Sequence, residues 1–319
     1  MQQLIYMLKR ITYLVPVLLL ISFLVFGMTH VLPGDPADIL LGGEEGIEDP
    51  VVREVLIKEL GLDKPILFQY TTWLWRALHG RLGKSIYSDQ EALILVLNRF
   101  PATLLLAISS VIIAVIVSLP AGILAAVKRR RLTDYTAMTF ALLGVSVPQF
   151  WAGIMLILFF SLWLGWLPSM GFVDPFKDFI GCLRHLVLPA AALGLRMAGV
   201  VTRMTRSSML DELSQDYVRT ARAKGLSERA VIFVHTLKNA MIPTVTILGL
   251  QFGHILGGTV VIERVFSWPG VGQLLVEAIF TRDYLVVQAA ILLITVAFVI
   301  VNLLVDFIYT WLNPRISLE

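Results

Sequence analysis

The sequence is poor in the residues that build disulfides, metal centres and charged surfaces. It contains one cysteine, Cys182, and five histidines in 319 residues. A single cysteine excludes an internal disulfide and a cysteine-based metal cluster, and the histidines do not have the spacing of metal ligands. Only 15% of the residues are charged, against about 25% in an ordinary soluble domain. We therefore predict no metal site in this chain.

The sequence also lacks the short motifs that mark catalytic sites. Neither HExxH nor GxSxG occurs. Gly83-Lys84-Ser85 copies the end of a phosphate-binding loop, but Leu78 stands where that motif needs a glycine. The basic residues are not interleaved with aromatic residues, as they would be on a nucleic-acid surface. We predict no catalytic residue, no cofactor and no nucleic-acid partner for this chain.

Apolar sequence is present in excess: 57% of the residues are hydrophobic, and the mean hydropathy is +0.80. A membrane-spanning helix needs about 20 apolar residues. Six runs reach that length, at about 11–30, 101–127, 135–166, 186–206, 239–262 and 285–311. The first run is long and is not followed by a small-residue cleavage pattern, so we expect an anchor rather than a signal peptide. The predicted fold class is all-α, a polytopic membrane protein with six transmembrane helices.

The third run is too long for one span and is interrupted at Ser146-Val147-Pro148. Proline removes one backbone hydrogen bond and disfavours helix at the residue before it. Two interpretations stay open. Residues 135–146 lie along the membrane interface before a span over 148–166, or the whole run forms one kinked and tilted helix. A hairpin of two short spans is disfavoured, because neither half reaches 20 apolar residues.

Charge sets the predicted orientation. Lysine and arginine are denser in the connecting segments 1–10, 128–134, 203–238 and 312–319. Such segments face the cytoplasm, so both termini are predicted there. The expected organisation is an N-terminal tail and first helix (1–31), an external helical segment (32–100), a five-helix core (101–311) with a cytoplasmic loop at 207–238, and a cytoplasmic tail (312–319).

The loop at 207–238 has the strongest local signals. Ser208 with Asp211 fits a capping box, and we expect a helix from Met209 to Lys224. Gly225 then supplies a helix end with positive φ, and Ser227 caps a second helix. From these features alone, a stabilised surface loop and a docking site for a cytosolic partner are equally good interpretations.

Seven short segments spread along the chain form a recognisable series. One is the loop segment 219–225, and the others are Leu32-Pro33-Gly34-Asp35-Pro36, Leu62-Asp63-Lys64-Pro65, Arg99-Phe100-Pro101-Ala102-Thr103, Gly165-Trp166-Leu167-Pro168, Lys238-Asn239-Ala240 and Trp268-Pro269-Gly270. Together they resemble the dipeptide/oligopeptide/nickel permeases of binding-protein-dependent ABC importers. In this comparison the segment 219–225 resembles the "EAA" loop, with Arg219 in place of the usual Glu, and Arg81 and Asn313 stand where the family pattern has Asp.

The resemblance implies a multi-pass protein of the bacterial inner membrane, surrounded by lipid. Its partners would be a homologous permease in a heterodimer, two ATPase subunits that carry the ATP and Mg chemistry, and an extracytoplasmic binding protein. The expected substrates are short peptides; nickel or a nickel chelate, glutathione and glycosides are the alternatives. The implied ATPase-coupling residues are Tyr217, Arg219, Ala221, Arg222, Lys224, Gly225, Leu226 and Ser227.

Several polar residues fall inside the predicted spans. Arg196 lies near the middle of the fourth span, where an arginine costs about 2.5–3.5 kcal/mol unless it faces water or a partner. It either lines the path, where it would meet a substrate carboxylate and disfavour a bare Ni²⁺ ion, or has a structural role as an ion pair or as a side chain that snorkels to the membrane surface. Gly249, Gly253 and Gly257 form a small-residue stripe that favours helix packing. The further path candidates are Gln251, His254, Ser146 and Pro148.

Two other classes of function compete with the permease. A membrane-embedded enzyme would need a catalytic pair, which the sequence does not show. A passive channel would have no use for a cytoplasmic coupling unit.

Overall fold

The computed structural model describes residues 2–31, 58 and 63–312. Over these residues the chain is helical, with one isolated antiparallel pairing between Lys84 and Glu91 and no strand. The prediction of an all-α chain is confirmed for this part. The helices are α1 (Gln2–Val31), α2 (Ile66–Leu78), α3 (Ala92–Val127), α4 (Leu132–Ser146), α5 (Gln149–Leu156), α6 (Phe179–Leu213), α7 (Asp216–Ala223), α8 (Glu228–Ala230), α9 (Leu237–Val265), α10 (Val271–Phe280) and α11 (Tyr284–Leu312). Two π-helical segments, Ile157–Trp163 and Val231–Thr236, continue α5 and join α8 to α9.

Four helical stretches are long and apolar enough to cross a membrane: Ala92–Val127, Phe179–Leu213, Glu228–Gly253 and Tyr284–Leu304. The third of these runs from α8 through the π-helical segment into α9. A fifth crossing is possible through Leu132–Ser146 and Gln149–Trp163, which meet at an angle of 108°. The apolar part of α1, Thr12–Met28, is shorter. Helix covers the six predicted runs except at 147–148 and 164–166, both in the third run. The count of six spans and the orientation stay predictions.

The break at Pro148 is sharper than a kink. Pro148 precedes α5 with extended backbone (φ −59°, ψ 136°), and Val147 before it is extended as well. These conformations follow from the ring of Pro148, which fixes its own φ and disfavours helix at the preceding residue. The bend of 108° separates two helices and excludes the interpretation of the run as one kinked helix. The position of residues 135–146 along the membrane interface stays a prediction. We call the segment from α4 through Pro148 to α5 the elbow.

The chain divides into two units. The first contains the described residues of Met1–Pro101 and Gly270–Val299. Its core includes Ala92, Val96 and Val287, which are at most 1% exposed. Buried polar contacts tie its elements together: Ser85 donates to the Asp283 carboxylate at 2.5 Å, and Gln288 links Trp73 to the Val25 carbonyl.

The second unit contains the described residues of Ala102–Pro269 and Ile300–Glu319. Its central helix is α6, which packs against α4, α5 and α9. Glycines let the backbones approach closely: a β-carbon at Gly144 would lie 2.8 Å from the Leu195 carbonyl, and one at Gly199 would collide with the Ala141 carbonyl. Small residues at helix crossings are typical of membrane helix packing, where close van der Waals contact replaces the hydrophobic effect.

The single helix predicted from Met209 to Lys224 is wrong at its start and in its middle, where Ser214 and Gln215 separate α6 from α7. α6 continues through Ser208 and ends at Leu213, and Ser208 is buried inside it rather than capping a new helix. Met209, 0% exposed, packs with Ala126 and Ala240 at this point. The burial of this turn favours continued helix over the local capping preference of Ser208.

Candidate functional site

The region around Gly225 forms a closed helix end. The Leu226 N–H donates to the Ala221 carbonyl at 3.4 Å, and the Gly225 N–H donates to the Arg222 carbonyl at 2.9 Å. This bond pair, with Gly225 at φ +78°, is the Schellman motif. The positive φ suits glycine because it has no β-carbon. The predicted end of the first loop helix at Gly225 is confirmed.

The second short helix starts as predicted at Ser227. The Ser227 hydroxyl accepts from the Ala230 N–H at 3.4 Å, as an N-cap does. The Arg222 guanidinium donates to the Glu228 carboxylate at 2.8 and 3.3 Å. This bidentate ion pair spans the turn. The short helices α7 and α8 are therefore joined by a side-chain contact as well as by the backbone hydrogen bonds of the turn.

One face of α7 is buried and the other is open. Val218 and Ala221 pack with Val231 and Leu213. The sequence-predicted coupling residues that stay exposed are Tyr217, Arg219, Arg222, Lys224, Gly225, Leu226 and Ser227. Phe233 and Val234, which the sequence analysis did not name, lie nearby in the chain and are also exposed, at 57% and 62%. We call this exposed set, with Ala221 beneath it, the coupling surface.

Tyr217 links the coupling surface to two long helices. Its hydroxyl donates to the Glu212 carboxylate in α6 at 2.5 Å and accepts from the Asn239 amide in α9 at 3.1 Å. Burial, followed by the hydrogen bond to Glu212, raises the pKa of Tyr217. The phenol therefore stays protonated and remains a donor at neutral pH. Through these two hydrogen bonds, a displacement of α7 would be transmitted to both α6 and α9.

A buried ion pair, which the sequence analysis did not identify, joins α4 to α6. The Arg206 guanidinium donates to both oxygens of Asp134 at 2.6 and 2.8 Å. The Asp134 side chain is 4% exposed, and it also accepts from the Arg130 N–H at 2.9 Å. Asp134 is the first acidic residue after a run of four basic residues, 128–131, which was the only available hint. Its partner is 72 positions away.

A cavity of about 800 Å³ lies within the second unit. Its walls come from α3, the elbow with the π-helical segment after it, and α6. The lining is dominated by apolar side chains such as Phe140, Trp151 and Phe159. Arg196 also lines it and is exposed. Among the described residues that line the cavity, Arg196 is the only charged one.

The other predicted path residues are placed differently. Ser146 ends α4 and Pro148 precedes α5, and the residues beside them, Val147 and Gln149, line the cavity. Gln251 and His254 both lie on α9, and Gln251 is not among the described residues that line the cavity. Gln251 is half-buried, and the His254 side chain lies outside the described residues.

The predicted glycine stripe lies on α9. Gly253 is buried and Gly249 half-buried, whereas Gly257 is exposed and a β-carbon there would meet nothing within 4 Å. Packing at Gly257 is thus not seen within the described chain and stays a prediction. Over the described residues, no three His, Cys, Asp or Glu side chains are grouped to hold a metal ion.

The sequence matches two protein families along nearly its full length. Residues 118–318 match the family described as "Binding-protein-dependent transport system inner membrane component". Residues 3–107 match its N-terminal companion, "Binding-prot-dependent transport system membrane comp, N-term". The chain belongs to this family of ABC importer permeases, in the peptide/nickel branch. It is a multi-pass protein of the inner membrane and a transport subunit rather than an enzyme.

Individual relatives agree with this placement. The chain is 46% identical over 311 residues to the glutathione transport system permease protein GsiC of Escherichia coli (strain K12), covering 98% of both chains. The same figures apply to the protein of that name from Shigella dysenteriae serotype 1. A solved structure of the MetNI methionine ABC transporter, inward facing, is similar with a TM-score of 0.58 at 18% identity, covering 69% of this chain and 96% of that one. This structural likeness concerns the fold.

Proposed function

We propose that this chain is one of two homologous permease subunits that form the translocation path of an ATP-driven importer for short peptides. In this proposal six helices cross the membrane, both termini are cytoplasmic, and an extracytoplasmic binding protein delivers the substrate. Two partner ATPases carry ATP and Mg. The observation that carries the proposal is the coupling surface, a rigid turn held by the Schellman motif at Gly225 and the Arg222–Glu228 pair, in a chain of this family.

The coupling surface is suited to transmit a push or a pull. Backbone bonds at Gly225 and the cap at Ser227 resist deformation of the turn. Tyr217 bonds Glu212 of α6 and Asn239 of α9, so the turn is tied to both long helices. Movement of α6 would alter the cavity, because Arg196 lies on the same helix. The ATPases would thereby change the access of the path without any chemistry in this chain.

The substrate class rests on the relatives. Proteins with 46% identity are named glutathione transport permeases, and glutathione is a tripeptide with free carboxylates. We therefore propose glutathione or similar short peptides as the cargo. Nickel, nickel chelates and glycosides remain the alternatives that the branch as a whole suggests.

Co-purification and uptake test the proposal together. The tagged chain, expressed with its neighbouring subunits, should bring down a sister permease and two copies of ATPase. Proteoliposomes containing that assembly should take up glutathione only with ATP and the binding protein. Isolation as an active homo-oligomer would instead support a channel or a membrane-embedded enzyme, and uptake without ATP would support the channel.

A further inference from the structure

The cavity beside the elbow combines apolar walls with a single charge. Its volume of about 800 Å³ falls in the range of about 300–1,000 Å³ that holds small ligands. A few hydrogen-bonding groups interrupt the otherwise apolar lining: Thr133, Thr136, Gln149 and Thr202. Sites of this kind bind most of a ligand by apolar contact and orient it through a few polar groups.

Arg196 has no anionic partner within the described chain. Arg206, ten residues further along α6, is instead held by both oxygens of the Asp134 carboxylate. Within the described residues the Arg196 side chain forms no salt bridge or hydrogen bond, and it is exposed where it lines the cavity. A charged residue inside a membrane span normally faces a water-filled cavity or a partner and marks a substrate pathway.

We propose that Arg196 recognises a carboxylate of the passing substrate, which makes carboxylate-bearing short peptides the cargo of this path. The inference deepens the proposed function and rests on it. A guanidinium can grip a carboxylate with two parallel hydrogen bonds. Apolar walls strengthen that interaction because they lower the local dielectric constant. The same charge repels a bare divalent cation, so free nickel is a poor cargo for this cavity.

The test compares two substrates that differ only in one charge. The full complex is reconstituted with its binding protein, and uptake of glutathione is compared with uptake of its C-terminal amide. The selectivity, kcat/KM for glutathione divided by that for the amide, is measured in wild type, Arg196→Gln and Arg196→Lys. Because every variant uses the same binding protein, a change in selectivity arises in the membrane subunits.

Arg196→Gln should reduce the selectivity about tenfold or more, since a hydrogen bond to a charged group is being removed. Arg196→Lys keeps the charge and should retain most of the selectivity. The matched control is Arg203→Gln: this exposed arginine lies two turns further along α6 and does not line the cavity. Its selectivity should stay within about twofold of wild type.

An unchanged selectivity in Arg196→Gln, found both for the C-terminal amide and for the amide of the γ-glutamyl carboxylate, would overturn the inference even if overall transport falls, because a purely structural role predicts equal losses for all these substrates. Failure of the proposed function looks different: the wild-type complex would then import neither peptide.

A labelling experiment tests the inference without altering Arg196. In a Cys182→Ser background, Thr136→Cys places a thiol in the cavity wall. Anionic and cationic methanethiosulfonates are compared, each relative to its rate with a free thiol. The anionic reagent should react several-fold faster, because Arg196 attracts it. Equal rates, or a faster cationic reagent, would contradict an anion-selective cavity.

Discussion

The coupling surface is held together by contacts between residues close in the sequence, whereas the cavity is formed by contacts between residues far apart in the sequence. In the coupling turn, the Gly225 N–H donates to the Arg222 carbonyl and the Leu226 N–H donates to the Ala221 carbonyl. The Arg222 guanidinium donates to the Glu228 carboxylate. The cavity, which is open on one side, is bounded by helices far apart in sequence, with Gly199 of α6 in contact with Ala141 of α4. The turn therefore resists deformation locally, whereas the cavity keeps its shape only while α4 and α6 stay docked. Four substitutions, taken from the largest expected effect to the smallest, test this difference.

The ion pair that docks α4 on α6 should matter most for stability. Asp134→Asn leaves the Arg206 guanidinium partly buried without its counter-charge. Losing one member of a buried pair costs about 3–5 kcal/mol, so the thermal unfolding midpoint of the purified complex should drop clearly. Asp216→Asn is the matched control. Asp216 pairs with Arg219 at 3.3 Å but is 94% exposed, and its loss should hardly be measurable. Equal effects would contradict the difference between the two regions.

Close helix contact at the cavity should be the next most sensitive feature. Gly199→Ala puts a methyl group against the Ala141 carbonyl, and forced overpacking costs about 1–3 kcal/mol. Gly257→Ala is the matched control, because a β-carbon there would meet none of the described residues within 4 Å. It should leave unfolding of the isolated chain unchanged or slightly improved, since alanine favours helix. If Gly257→Ala instead weakens assembly with a sister permease, the glycine stripe contacts that subunit.

The coupling turn should respond through its backbone. Gly225→Val forces a β-branched residue into the left-handed region, at about 1–2 kcal/mol, and uptake per ATP hydrolysed should fall. Gly225→Asn is the control, because asparagine adopts that conformation more readily, and it should keep most of the coupling. If Gly225→Val takes up a normal amount of substrate per ATP hydrolysed, Gly225 has no role in coupling.

The smallest effect is expected when only the hydroxyl group of Tyr217 is removed. Tyr217→Phe removes the bonds to Glu212 and Asn239, which should cost about 0.5–1.5 kcal/mol and loosen the link between turn and helices. Tyr135→Phe serves as control, because Tyr135 is 62% exposed and has no hydrogen-bond partner for its hydroxyl among the described residues. Urea unfolding of both variants measures the difference, and a larger loss for Tyr135→Phe would be contrary to expectation.

Local features of the site could be predicted because their causes lie within a few residues. Gly225 and Ser227 occupy positions that only certain residue types suit, and the structure confirms the helix end and the cap. Ser208 shows the limit of such reasoning. Its capping pattern with Asp211 was as good as that of Ser227, but the packing of Met209 against Ala126 and Ala240 extends α6 past it. Buried area outweighs the preference of one hydroxyl.

By itself, the sequence determined the helical class, the apolar runs, the break at Pro148 and the closed turn at Gly225, because hydrophobicity, the proline ring and the glycine backbone act over one or two helical turns. The tertiary structure alone decided the 108° bend of the elbow, the pairing of Asp134 with Arg206, and the presence of Arg196 in an apolar cavity. These features depend on which helix faces which, and that choice is made by packing between residues far apart in the chain.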